Sequence, residues 1–169
     1  MTDSGTEQIA TTDKPYHFQE SGLSNIYLVG IRYLVYKSGK IVPEIPAIKP
    51  LLQLIARDLI EKPSALTGEE IRFLRKRLGK KQIEVAHDIG IEPETLSRCE
   101  NGHQKLGESN DKFLRLYYAF SATDDLRLNE LRTEIRKMLS EWHEDERGPA
   151  KKTVAKVAND EWELQNVAG

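Results

Sequence analysis

The stretch "ETLSRCENG", residues 94–102, concentrates hydrogen-bonding chemistry in about two and a half helical turns. Read as a helix, it puts Leu96 and Cys99, three residues apart, on one face. Glu94, Thr95, Ser97 and Arg98 are then left on the outer face. Ser and Thr hydroxyls can donate to or accept from a base edge or a phosphate. Arg can hold guanine through two parallel hydrogen bonds, and Glu can accept from cytosine N4. Plainer uses exist for each. Thr95 and Ser97 can bond their own helix, Arg98 can be a solvated surface cation, and Glu94 is repelled by phosphate unless it meets a base donor.

Such a face needs elements that present it. Ala86 follows Gln82 by four residues, Gly90 follows Ala86 by four, Leu96 follows Gly90 by six and Cys99 follows Leu96 by three. A small residue where two helices cross, a glycine free to take positive φ in the turn, and a buried apolar pair beyond it describe a helix-turn-helix. In that motif the outer face of the second helix enters the DNA major groove. Lys81 and Gln82 would open the first helix of the pair, where side chains and free N–H groups can hold a phosphate. Lys105, in the loop beyond the pair, is placed to touch another.

A capping box, Thr67 with Glu70, opens the preceding helix in "TGEEIRFLRKRLG", with Ile71, Leu74 and Leu78 on one face. Arg72, Lys76 and Lys80 follow another face at steps of four, either as a solvated surface or as part of a basic cluster. Residues 67–120 hold ten basic and nine acidic side chains, so net charge there is slight. The six cations within residues 72–81 are what suits a polyanion. "ESNDKFLRLYYAF" reads as a further helix. Residues 124–142 read as one more, through Leu128, Leu131, Ile135 and Leu139, serving as core or as a dimer seam.

Upstream, residues 1–14 are small and polar and read as a disordered start. "NIYLVGIRYLVY" is rich in strand formers, "KSGK" supplies a turn and "VPEIPAIKP" an extended connector. "PLLQLIARDLIEK" has helical spacing and ends at Pro63. Residues 144–169 are charged and alanine-rich, with a break at Pro149, and read as a flexible tail in which Trp162 and Leu164 could dock. The expected fold class is α+β. A β-rich domain at 15–66, a small antiparallel sheet of about three strands with a linking helix, precedes an all-α helix-turn-helix domain of about five helices at 67–143.

Other classes fall away. No apolar run approaches the roughly 20 residues of a membrane span, and "MTDSGTEQIATTDK" lacks the basic start and apolar core of a signal peptide. One cysteine, Cys99, excludes an internal disulfide and a cysteine-based zinc cluster, so a reducing cytoplasm is expected. Cys99 reads as a small buried apolar residue. His17, His87, His103 and His143 are isolated from one another, so no metal or other cofactor is expected. No HExxH, P-loop, GxSxG or convergent carboxylate–histidine set is present, and no enzymatic activity is expected.

"IRFLRKRLGKKQIEVAHDIGIEPETLSRCENG" resembles the Cro/repressor-type (XRE) helix-turn-helix family. It departs from the family pattern at Lys80, where an apolar residue is usual, at Lys81, where Ser or Thr caps the helix, and at Cys99, where an aromatic stands. The two lysines are expected to add charge beside DNA and to loosen the local packing slightly. The resemblance implies that Arg75 pairs with Glu100, a partly buried structural ion pair rather than a DNA contact. It also implies binding to double-stranded DNA as a homodimer on a palindromic operator, as a regulator and most simply a repressor. The alternative is an interaction module that keeps the motif as a scaffold. "ESGLSNIYLVGIRYLVYKSGK" followed by "IPAIKPLLQLIARDL" is similar to MqsA-type antitoxins, whose N-terminal domain is a YgiT-type zinc finger. Val35-Tyr36-Lys37-Ser38-Gly39 fills the slot of a C-x-x-C-G motif there, which implies a metal-free relative. The similarity further implies a toxin protein as a possible partner of the N-terminal half.

Overall fold

A computed structural model describes residues 5–121, 152–159 and 161–167. Within them the fold is α+β, with seven strands and five α-helices. The strands are β1 (Thr6–Ile9), β2 (Tyr16–His17), β3 (Ile26–Val29), β4 (Arg32–Val35), β5 (Ile41–Glu44), β6 (Lys152–Ala158) and β7 (Glu161–Val167). The helices are α1 (Ile48–Glu61), α2 (Gly68–Arg77), α3 (Gln82–Asp88), α4 (Pro93–Glu100) and α5 (Glu108–Ser121). The helix expected over 124–142 lies outside the described residues. None of the described helices is long and apolar enough to cross a membrane.

Two compact units divide these elements, and the boundary falls inside α1, between Ile55 and Ala56. It therefore lies earlier than the 15–66 and 67–143 division expected from composition. Residues 59–64 belong with the helices for a physical reason. The Arg115 guanidinium of α5 donates to the carbonyls of Leu59, Ile60, Lys62 and Ser64. Lys62 Nζ also meets both Glu70 carboxylate oxygens of α2, at 3.0 and 2.8 Å.

The β unit holds two sheets rather than one. A three-stranded antiparallel sheet runs β1-β4-β5, and a four-stranded sheet runs β2-β3-β6-β7. The supposed disordered start supplies β1, which pairs with β4 from Thr6↔Val35 to Ile9↔Arg32. The supposed flexible tail supplies β6 and β7. β6 runs parallel to β3, with Ile26↔Thr153 and Leu28↔Ala155 in register, and β7 folds back on β6. Ala155 and Thr153 are buried with Ile26 and Leu28, and the Trp162 indole N–H donates to the Pro46 carbonyl at 3.0 Å. Between the sheets the chain bends at Gly30 (φ +87), where a Cβ would lie 2.7 Å from the Val157 carbonyl oxygen. Pro43 is tolerated because β5 is an edge strand. The β4–β5 turn at 36–40 is closed by backbone bonds, Tyr36 N to Lys40 O and Gly39 N to Tyr36 O, both 2.9 Å.

Candidate nucleic-acid interface

α2, α3 and α4 are set by local rules. The Thr67 hydroxyl accepts from Glu70 N at 3.3 Å while the Glu70 carboxylate accepts from Thr67 N at 2.7 Å, so two otherwise unpaired amides at the start of α2 are satisfied. α3 ends in a turn through Gly90 (φ +72), a backbone conformation that side chains with a Cβ rarely adopt. Ile91 N reaches back to Ala86 O at 2.9 Å, and Pro93 then starts α4. Ala86, Leu96 and Cys99 are buried together with Val85 and Leu74. α2 reaches α4 closely at Gly68: a Cβ there would lie 2.4 Å from the Cys99 carbonyl oxygen.

Glu100, at the inner end of α4, gathers the polar chemistry of this unit. Its side chain is fully buried. Arg75 binds it through Nε at 2.6 Å and Nη2 at 2.9 Å, and Gln82 Nε2 donates to it at 2.7 Å. Arg75 Nη1 goes on to the Lys80 carbonyl at 3.0 Å. Arg72 donates to the Glu100 carbonyl at 3.0 Å and to Asn101 Oδ1 at 2.7 Å, and Asn101 Nδ2 donates to Ser97 O at 2.9 Å. A buried carboxylate is tolerable only with this many donors.

The outer side of α4 is of a different character. Glu94 and Arg98 are exposed, and Thr95 and Ser97 are half-buried. His103 N bonds the Arg98 carbonyl at 2.9 Å, which turns the chain into a loop where Gln104 and Lys105 are exposed. Glu94, Thr95, Ser97 and Arg98 thus share one helix, with Lys105 in the loop after it. Lys81 is exposed and Gln82 half-buried at the start of α3. Gln82 points its amide at Glu100, and Lys81 N donates to the Glu84 carboxylate at 2.6 Å, so α3 supplies part of its own anion. Of the row Arg72, Lys76 and Lys80, only Lys76 stays as a plain exposed cation. Arg72 serves the Glu100 turn, and Lys80 pairs with Asp88 at 2.8 Å. The loosened packing expected at Lys80 is replaced by that pair and by the Tyr117 ring, 5.4 Å from its ammonium.

Burial pushes the Cys99 thiol upward, with the neighbouring Glu100 charge adding to it, so this sulfur is held as an unreactive thiol. Among the described residues, no group of three His, Cys, Asp or Glu side chains converges as metal ligands would.

Sequence reasoning missed a second buried ion pair. Asp111 and Arg115 are both fully buried, 2.6 Å apart, and Asp111 also accepts from Leu66 N at 2.7 Å. Their i,i+4 spacing within "DKFLR" was the available signal. No protein-family model matches the chain, and searches of curated proteins and of solved structures return no match.

Proposed function

We propose that this chain is a sequence-specific double-stranded-DNA-binding regulator, a cytoplasmic homodimeric repressor, that inserts α4 into the major groove. The observation that carries the proposal is the two-sidedness of α4. Its inner face is locked through Leu96, Cys99 and the Glu100 network, while Arg98 is exposed, Thr95 and Ser97 are half-buried, and Lys105 is exposed in the loop after the helix. A helix held rigidly on one side and lined with donors on the other matches base-edge readout. Two copies would place their α4 helices in successive major grooves, about one helical turn apart on a near-palindromic site. The similarity of the N-terminal half to MqsA-type antitoxins extends the proposal to neutralisation of a partner toxin and autoregulation of its operon.

A second reading has its own observation. Glu92 and Glu94 are exposed at the start of α4, and Glu84 is exposed in the first turn of α3. That acidity would favour a basic protein surface over phosphate, with the motif kept as a scaffold.

Fluorescence anisotropy against a duplex from upstream of the chain's own coding region, beside a scrambled duplex, separates the two. Under the DNA reading, wild type prefers the upstream duplex and its affinity falls with salt. A folded Arg98→Ala variant loses about tenfold or more of that preference, the worth of one bidentate base contact. Equal, weak binding to both duplexes that ignores Arg98 would leave the scaffold reading.

A further inference from the structure

We propose that Asp88, with Lys80 and Tyr117, is a latch that sets the angle of the α3–α4 pair against α5 and so positions Arg98 and its neighbours for DNA. The inference rests on the DNA-binding reading above. Asp88 is the last residue of α3, immediately before the turn into α4. A carboxylate there opposes the helix dipole and is unfavourable unless donors offset it. Two do. Lys80 Nζ, from the α2–α3 turn, lies 2.8 Å from Asp88 Oδ2, and the Tyr117 hydroxyl of α5 donates a short hydrogen bond to the same oxygen. The Lys80 ammonium also stands 5.4 Å from the Tyr117 ring centroid, within cation–π range.

One oxygen therefore ties three elements together at the pivot of the helix-turn-helix. The far side of the same helix is already fixed, because Arg115 anchors α5 to the end of α1. α5 is a fixed post, and the latch hangs the reading pair on it. The Glu100 network holds α4 to α2 and α3 but contains no residue of α5. The Lys80 and Asp88 side chains are 37% and 30% exposed, so the latch is open to water and salt, unlike an apolar contact at the same place.

The test uses the full chain with Tyr117→Phe, Lys80→Met and Lys80→Arg. Amide hydrogen exchange reports residues 85–91 against 99–102, and anisotropy reports the upstream and scrambled duplexes at one salt concentration. Tyr117→Phe and Lys80→Met should speed exchange at 85–91 and spare 99–102. They should also weaken binding to the upstream duplex by roughly threefold to fivefold, what one exposed ion pair supplies. Lys80→Arg should restore both. Unchanged exchange at 85–91 in both disruptive variants overturns the latch, as does a loss of affinity that Lys80→Arg fails to rescue. If wild type does not distinguish the duplexes, the DNA reading fails instead. The exchange pattern then still decides whether the latch exists.

Discussion

The Arg75 guanidinium meets the Glu100 carboxylate side-on, Nε to Oε1 at 2.6 Å and Nη2 to Oε2 at 2.9 Å. The arginine keeps 13% of its side chain exposed and the glutamate none. This pair joins the last turn of α2 to the last residue of α4, and Gln82 joins the start of α3 to the same carboxylate. The three helices of the candidate interface therefore converge on one buried charge.

Arg75→Ala leaves that charge to Gln82 and the more distant Arg72. We expect a loss of about 3–5 kcal/mol of unfolding free energy, the usual result of stripping one partner from a buried pair. Arg75→Lys should recover only part of it, because an ammonium cannot make the two parallel bonds. Urea unfolding followed by circular dichroism checks both; a loss below about 1 kcal/mol would contradict the burial argument.

Arg115→Leu removes the donor to four carbonyls at the end of α1 and to Asp111 Oδ1. Asp111 would retain the Leu66 amide. A loss of about 3–5 kcal/mol is expected here as well. Amide exchange should rise first over residues 59–66, before the α2–α4 core opens. A uniform rise would mean that Arg115 does not act locally on this segment.

Gly68→Ala tests the close approach of α2 to α4. The new Cβ would stand 2.4 Å from Cys99 O and 2.7 Å from Glu100 O, both backbone atoms that cannot swing aside. Helix propensity alone favours alanine over glycine by about 1 kcal/mol. We expect overpacking to reverse that sign, with a net destabilisation of about 1–3 kcal/mol by thermal or urea unfolding. A stabilised variant would show that the two helices can separate freely.

Lys80, then Tyr117, holds the Asp88 carboxyl down at about 2 against its ordinary 3.8. The folded value lies below the unfolded one. The bonded carboxylate therefore stabilises the fold above about pH 4, and this contribution is lost as pH falls toward about 2. Wild type should lose stability over that window more steeply than Asp88→Asn. Tyr117→Phe should move the Asp88 midpoint upward in a carbon-13 carboxyl titration. A midpoint that stays at about 2 in the variant would remove Tyr117 from the account.

The β6–β7 hairpin shows how far the sequence could be read. Residues 161–165 alternate exposed Glu161, Glu163 and Gln165 with half-buried Trp162 and Leu164, a period of two that was present in the sequence. Its high charge and the break at Pro149 masked it as a tail. β1 was masked in the same way, because a four-residue edge strand with mostly exposed side chains carries little apolar signal. The Asp111–Arg115 pair was visible as an i,i+4 spacing, but nothing in that spacing says that both charges are buried.

The sequence by itself determined the features that depend on neighbours along the chain. These are the α+β class, the Thr67–Glu70 cap, the glycine turn at Gly90 and the inward placement of Leu96 and Cys99 on α4. Only the tertiary structure decided which strand completes β3, which donors surround Glu100, and that Gln82 turns inward while Lys80 finds Asp88 and Tyr117. Hydrogen-bonded turns and helical periodicity are set within a few residues. The partner of a strand edge or of a buried charge is set by whatever packing brings within about 3 Å of it. Here that means residues as distant in sequence as Ile26 and Thr153.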